Sequence, residues 1–465
     1  MQVTRSSSLS KPALLTPGKL PLEPFRHRDP TAMALLDLDV GVVSKLPDAA
    51  STTPTCRDAL VLVRLHGEPL AILYAGRDPD ELGERGLAAL VWEHCEGEIR
   101  RHIAEAGCGT APSGPGDLVG GLGDEAGCRD KAMPPAVGSI AVIVATRGRS
   151  ALLPRCLAAL GHMEGPEYEV VIVHNGPPDA GTRRTVEVAA GAADHPIRYV
   201  EEPRMGVSVA RNRGTALTAA DIVVFTDDDV VVDRHWLRWL VEPFTSADVG
   251  ATAGMLLPLE LQTPAQKRFE QYAGLSRGLA RRSFGLERDR ADDRLLYPFW
   301  GGVFGSGASI AFRRASFVAS GGFDTGLGGG TFALSGEDHD AMSAVVLRGQ
   351  RLVYEPRAVC WHANRRGDDA LRRQVFNYSV GFTAILTKSL LHDPRFLAAA
   401  ARSVPVVLET RRRYRDRRSS DPAAVRLTPE LARLERRGMA LGPARYVWSA
   451  AVSRRRGLRN VILGG

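Results

Sequence analysis

The chain has 465 residues, enough for two or three domains with full hydrophobic cores. Its 60 Lys+Arg against 53 Asp+Glu leave a formal charge of +7, which suits an anionic substrate or a lipid surface and is too small to imply nucleic acid. Six cysteines with no CxxC pair and no metal-ligand spacing fit reduced thiols of a cytosolic protein and exclude a disulfide framework.

Residues 1–30 are polar and Pro-rich and are expected to be a poorly ordered tail, without the apolar core of a signal peptide. The run from Ala59 to Tyr74 reads as two strands around a Gly67 turn, followed by a helix through Leu87, Val91 and Ile99. These elements make residues 31–106 a small α+β accessory domain, and a protein partner is one candidate for what it recognises. Residues 107–133 have a Gly-rich linker composition.

After the linker the pattern alternates. Ile140 to Ala145, Glu169 to Val173 and Ile197 to Val200 read as strands, and Leu152 to Leu160, Thr182 to Ala190 and Val207 to Leu217 as helices. The run Asp221 to Thr226 is a further strand, and it ends in Asp227, Asp228 and Asp229. Strands alternating with helices predict an α/β, mostly parallel sheet over residues 134–365, with ligands at the carboxyl ends of the strands. Neither GxGxxG nor GxxxxGK[ST] appears, so the usual phosphate cradles of dinucleotide enzymes and P-loop proteins are missing. Residues 366–465 read as a helical, basic region. Its most apolar stretch, Val380 to Leu408, is broken by Lys388, His392, Asp393, Arg395 and Arg402. It is expected to lie on an anionic membrane rather than cross one, with arginines 411–418 and 454–456 as the basic contact or as a solvated helix face.

Three elements carry chemistry. Carboxylates crowded at a strand end repel one another unless a cation neutralises them, so Asp227, Asp228 and Asp229 point to Mg²⁺ or Mn²⁺ with a phosphate; the plainer alternative is a helix N-terminus. Glu337 and Asp338 stand before a predicted helix, where successive side chains point about 100° apart, so one of the two is the working acid. His362 follows a strand beginning at Arg351 and becomes a candidate metal ligand in the company of the two acid clusters.

Five motifs in order resemble the inverting glycosyltransferases of family 2, which have the GT-A fold. They are Ile143-Val144-Ala145-Thr146-Arg147, the GxxxARNxG segment from Gly206 to Gly214, the DxD-type Asp227-Asp228-Asp229, Gly321-Gly322-Phe323-Asp324, and Glu337-Asp338. The resemblance spans roughly residues 138–365 and implies a nucleotide-diphosphate-sugar donor and a hydroxyl acceptor. It implies Asp229, Asp227 and His362 as metal ligands, and Thr146, Arg147, His174, Arg211, Asp227 and Asp228 as donor-binding residues. Asp338 is the implied general base, with Glu337 beside it. The resemblance makes a UDP-sugar the first expectation, and His174, standing where the family carries an Asp that contacts the base, departs from that pattern and keeps GDP- and dTDP-sugars as alternatives.

The expected activity is metal-assisted single displacement onto a glycan, lipid-linked or other envelope precursor, by a cytoplasmic enzyme that sits peripherally on the inner face of the membrane. A non-catalytic nucleotide-sugar-binding scaffold is the alternative, and a nucleotidyltransferase fits the later Glu337-Asp338 pair poorly. Trp300 and Trp361 are candidates for stacking on a sugar ring, Phe304 to Ser309 for the acceptor wall, and Gly326 to Gly330 for a closing loop or a surface turn.

Overall fold

The computed structural model describes residues 30–39, 41–46, 56, 58–122, 137–148, 151–286, 296–401, 403 and 428–458. The first unit is a four-stranded sheet of β1 (Thr31–Asp37), β2 (Val42–Lys45), β3 (Asp58–Leu65) and β4 (Glu68–Tyr74), in the order β2-β1-β3-β4 with β1 and β3 parallel. β3 is buried along its whole length, which explains its apolar run from Ala59 to Val63. One face is covered by α1 (Pro79–Ala106), which starts on the Asp78 cap and ends at Gly107 with φ 70°. The Gly-rich stretch that follows is more than a linker. Leu118 is buried in this unit's core, and the Leu122 amide donates to the Leu38 carbonyl at 2.8 Å.

The second unit is a nine-stranded mixed sheet. Its strands are β5 (Ile140–Thr146), β6 (Glu169–Asn175), β7 (Ile197–Glu202), β8 (Ile222–Asp227), β9 (Val230–Val232), β10 (Val249–Pro258), β11 (Arg282–Phe284), β12 (Ile310–Arg313) and β13 (Arg351–His362). The path is β11-β13-β10-β12-β8-β5-β6-β7, with β9 paired to β13. β7, β6, β5 and β8 run parallel, and so do β10 and β13; β12 runs antiparallel between the two blocks. Helices α2 (Leu153–Gly161), α3 (Ala180–Ala192), α4 (Val207–Ala216), α5 (Trp236–Val241), α6 (Pro264–Ala273), α7 (Arg314–Ala319) and α8 (Glu337–Leu347) cover its faces. This is the α/β class expected from the sequence. Apolar clusters lie on both faces, one around Phe225, Phe312, Phe317 and Phe323 and the other around Trp236, Leu240 and Ile172. Each such fully buried side chain contributes roughly 1.5–3 kcal/mol.

The two units dock through a shared apolar core, in which Met33, Leu60, Leu62 and Ile72 join Leu257, Leu259 and Leu261 of the second unit, and through polar contacts. Arg64 of β3, buried, reaches Asp37 at 3.0 Å and Asp233 of the second unit at 2.8 Å. Burial alone would weaken this guanidinium, but the two carboxylates hold its pKa above the ordinary value. Lys267 donates to Thr31 at 3.0 Å, and Gly67 turns so close to Trp239 that a Cβ would lie 3.1 Å from its Nε1.

The C-terminal helices α9 (Asp368–His392) and α10 (Pro429–Arg455) pack on each other and on the sheet domain. Gly438 and Gly442 of α10 meet α9 where a Cβ would collide with the Phe376 and Val380 carbonyls, at 2.8 and 2.6 Å. Lys388, which interrupts the apolar stretch from Val380 to Leu408, is committed to Asp324 at 2.9 Å and Asp340 at 2.6 Å. The arginines at 411–418 lie outside the described residues. Among the described residues no helix is long and apolar enough to cross a membrane.

Candidate active site

A cleft of about 660 Å³ opens at the carboxyl ends of the parallel strands, lined by Thr146, Arg147, Asn175, Asp228, Asp229 and Arg365 among others. Four of the predicted site residues, Thr146, Arg147, Asp228 and Asp229, therefore face one space. β8 stops at Asp227, and the tight turn to β9 projects the next two aspartates outward. Thr146, at the end of the neighbouring strand, donates to Asp228 at 2.6 Å and accepts from the Gly148 amide at 3.0 Å. Burial, with the charges of Asp229 and Asp227 added, raises Asp228 to about 6 against the pull of Thr146.

The β9–β13 pairing sets His362 opposite Val230 and brings its Nε2 to 3.5 Å from Asp229. The other ring nitrogen, Nδ1, lies 3.0 Å from Asn364 Oδ1, and the Asn364 amide donates to Glu270 at 2.6 Å. Because that amide NH₂ is held by Glu270, the facing Oδ1 is an acceptor, so His362 carries its proton on Nδ1 and turns an Nε2 lone pair toward Asp229. This donor set, one carboxylate and one oriented imidazole beside a cleft, fits Mg²⁺ or Mn²⁺. Burial pushes Glu270 up to about 7, with Asn364 and His362 opposing.

Arg211 was expected to contact the donor. It is 2% exposed, and it donates to Asp227 at 2.7 Å, Glu337 at 3.1 Å and the Gly307 carbonyl at 3.3 Å. Helix α4 carries it under the acids, so it ties the strand-end cluster to the helix-start pair instead of lining the cleft. Asp227, expected as a metal ligand, has one oxygen committed to this arginine. The next residue, Asn212, exchanges two hydrogen bonds with the Phe323 backbone, at 2.8 and 3.0 Å, which fixes the Gly321-Gly322-Phe323-Asp324 turn.

At the start of α8, Asp338 accepts from the Gly307 amide at 2.7 Å and the His339 amide at 2.8 Å. Gly307 is required there, since a Cβ would lie 2.8 Å from Asp338. Burial pulls both acids toward the neutral form, with opposite outcomes. Glu337, whose neighbour Asp338 adds repulsion, rises to about 7 despite Arg211. Asp338 falls below its ordinary value, because His339, Arg211 and the two amides outweigh burial. A pair pushed apart in this way is a division of labour: one acid ionised, the other holding a proton.

Several expectations need correction. His174 pairs in register with Thr146 but does not line the cleft; its ring is buried with Nε2 2.9 Å from the Pro177 carbonyl, and Asn175, the next residue, lines the cleft. Trp361 is 3% exposed in the sheet core, whereas Trp300 stands edge-on to His339 beside the acid pair. The Gly326–Gly330 segment is anchored at its start and open at its end, where Gly329 and Gly330 are exposed and line the cleft. Leu327 is buried, Ser208 and Val207 hold its carbonyls, and Gly328 at φ 96° comes so near Glu337 that a Cβ would lie 2.8 Å away. Asn364, Glu270, Asn175 and Arg365 were not singled out from sequence. The Asn two positions after His362 was the available signal for the first.

Residues 141–319 match the family Glycosyl transferase family 2. This segment is a family 2 glycosyltransferase domain. The chain is 26% identical over 193 residues to a glucosyl-dolichyl phosphate glucuronosyltransferase of Haloferax volcanii, covering 41% of this chain and 57% of that protein. It is 26% identical over 234 residues to a pre-mycofactocin glycosyltransferase of Mycobacterium tuberculosis, covering 50% of this chain and 44% of that protein. The chain thus spans about half the length of these curated relatives. Among solved structures, a Pyrobaculum calidifontis mannosyltransferase in complex with GDP-Man and Mn²⁺ is similar at a TM-score of 0.42 and 21% identity, covering 69% of this chain and 88% of that one. The family 2 match ends at residue 319, before Glu337, Asp338 and His362, so the structure alone joins those residues to the domain.

Proposed function

We propose that the chain transfers a sugar from a nucleotide-diphosphate-sugar to a hydroxyl acceptor with inversion at the anomeric carbon. The observation that carries this reading is the divided acid pair: an ionised Asp338, held by two amides and linked through Arg211 to the aspartates of a family 2 domain. The donor would occupy the cleft at the strand ends, with its phosphates near Arg147 and Arg365. Asp229 and oriented His362 would hold the cation, with Asp228 set by Thr146. A bound Mg²⁺ or Mn²⁺ supplies positive charge against the negative charge gathering on the departing diphosphate.

Asp338 would take the proton of the acceptor hydroxyl. That oxygen forms the new bond to the anomeric carbon on the face opposite the breaking bond to phosphate. The leaving diphosphate carries away the electron pair, and the configuration inverts. No enzyme nucleophile is required. Neutral Glu337 would lower the number of negative charges facing the incoming acceptor. The donor base is left to UDP, GDP and dTDP alike, since His174 does not line the cleft.

A thermal-shift screen of UDP-, GDP- and dTDP-sugars with Mn²⁺ tests the reading, because a ligand that binds the native state raises the Tm. One donor class is expected to stabilise the chain only with Mn²⁺, Asp229→Ala is expected to lose that response while keeping the parent's Tm, and the product is expected to have the opposite anomeric configuration to the donor. Metal-independent binding in Asp229→Ala, or retention of configuration, would refute it.

A further inference from the structure

A second metal-ligating cluster lies in the accessory unit, remote in sequence from the acids. The ligand atoms of His66, His102 and Cys108 fall within 4.8 Å of one another, and all three residues are buried. They come from three places in the chain. His66 is in the turn between β3 and β4, His102 is in the last turns of α1, and Cys108 is just past that helix's end. From this convergence we propose that the accessory unit binds a zinc ion through His66 Nδ1, His102 Nε2 and Cys108 Sγ.

The backbone is shaped for the convergence. His66 has φ 52°, a left-handed conformation uncommon for a residue with a side chain, and its amide is held by Asp39 at 2.7 Å. Past α1, the Gly107 and Cys108 amides both donate to the Ile103 carbonyl, at 3.0 and 3.1 Å, which folds Cys108 back toward the helix end.

The surroundings set the imidazoles as ligands. His102 Nδ1 lies 2.6 Å from the Glu68 carboxylate. Nδ1 of His102 therefore carries the proton, and its Nε2 presents a lone pair to His66 Nδ1 at 2.9 Å. Two nitrogens sharing a tetrahedral zinc at 2.0–2.1 Å stand about 3.3 Å apart, so the rings need part by only a few tenths of an ångström. On binding, His66 shifts its proton from Nδ1 to Nε2, where Asp39 lies 3.8 Å away, and Cys108 releases its thiol proton to solvent. The Glu68 carboxylate behind His102 is the arrangement that orients a histidine ligand.

Two imidazoles and a thiolate favour zinc over Mg²⁺ or Mn²⁺, so this site and the cleft would select different ions. With three protein ligands, water takes the fourth position. The ion would staple the β3–β4 turn to the end of α1, and this turn is the one whose Gly67 packs on Trp239 of the glycosyltransferase domain.

The full chain, stripped with a chelator and dialysed, should be titrated with Co²⁺ and then Zn²⁺. The expected result is about one ion per chain with a four-coordinate visible spectrum and a near-ultraviolet thiolate-to-cobalt band. Zinc should erase that spectrum, and Cys108→Ser should lack the thiolate band. A parent chain without that band, a weak six-coordinate spectrum that reports only an oxygen-rich site, or a band that survives in Cys108→Ser would overturn the proposal. Should Cys108→Ser fail to fold, the parent decides: one zinc retained through dialysis supports the site, and none overturns it.

Discussion

The aspartates at the end of β8 and the acids at the start of α8 are both crowded carboxylates, yet the fold resolves the crowding in different ways. At the strand end Arg211 takes Asp227, Thr146 takes Asp228, and Asp229 is left facing an imidazole lone pair, an arrangement completed by a cation. At the helix start burial and the charge of Asp338 raise Glu337 to about 7, while His339, the same Arg211 and two amides lower Asp338. In the proposed function one cluster would gather positive charge and the other would accept a proton. A single buried guanidinium holds the two in register.

Removing that link should have the largest effect. Arg211→Met leaves Asp227 and Glu337 without their shared cation, and breaking a buried pair of this kind costs about 3–5 kcal/mol. Denaturant unfolding should show a loss of that size; a change under 1 kcal/mol would mean the clusters are not joined as described.

A smaller effect is expected on the cation side alone. Asn364→Ala removes the group that fixes the His362 tautomer, and loss of such an orienting partner lowers metal affinity by roughly 10–100-fold. Mn²⁺ titration by calorimetry checks this, and unchanged affinity would remove His362 from the ligand set.

The smallest effect isolates the proton side. Glu337 is raised from its ordinary 4.5 to about 7, so its contribution to stability is fully present below pH 4.5 and is lost as pH rises toward 7. Glu337→Gln should remove that decline. Parallel Tm profiles for the parent and the variant between pH 4.5 and 7 would place the shared proton elsewhere.

The difference between the clusters also marks what could be read from the chain. The α/β alternation, the acids and the two hairpin strands before α1 were legible because apolar runs and turn residues are local signals. β1 and β10 were not singled out, since β10 is buried on both faces and shows no alternation. The identity of the acids was legible, but their division was not. It depends on Arg211, 126 residues from Glu337, and on Gly307, 31 residues from Asp338. That His174 does not line the cleft was not legible, because a motif position does not say which side chains a cleft reaches. The His66, His102 and Cys108 cluster has no recognisable spacing, because a turn, a helix end and the residue after it meet only once α1 has packed on the sheet.

The most direct test of the account is Asp338→Asn, with donor affinity and turnover measured separately on the same preparation. The account predicts donor binding within a few fold of the parent and turnover lower by roughly 10² or more, the scale of a lost general base, with Glu337→Gln impaired much less. Turnover by Asp338→Asn equal to that of the parent, or a larger loss in Glu337→Gln than in Asp338→Asn, would contradict it and move the base to Glu337.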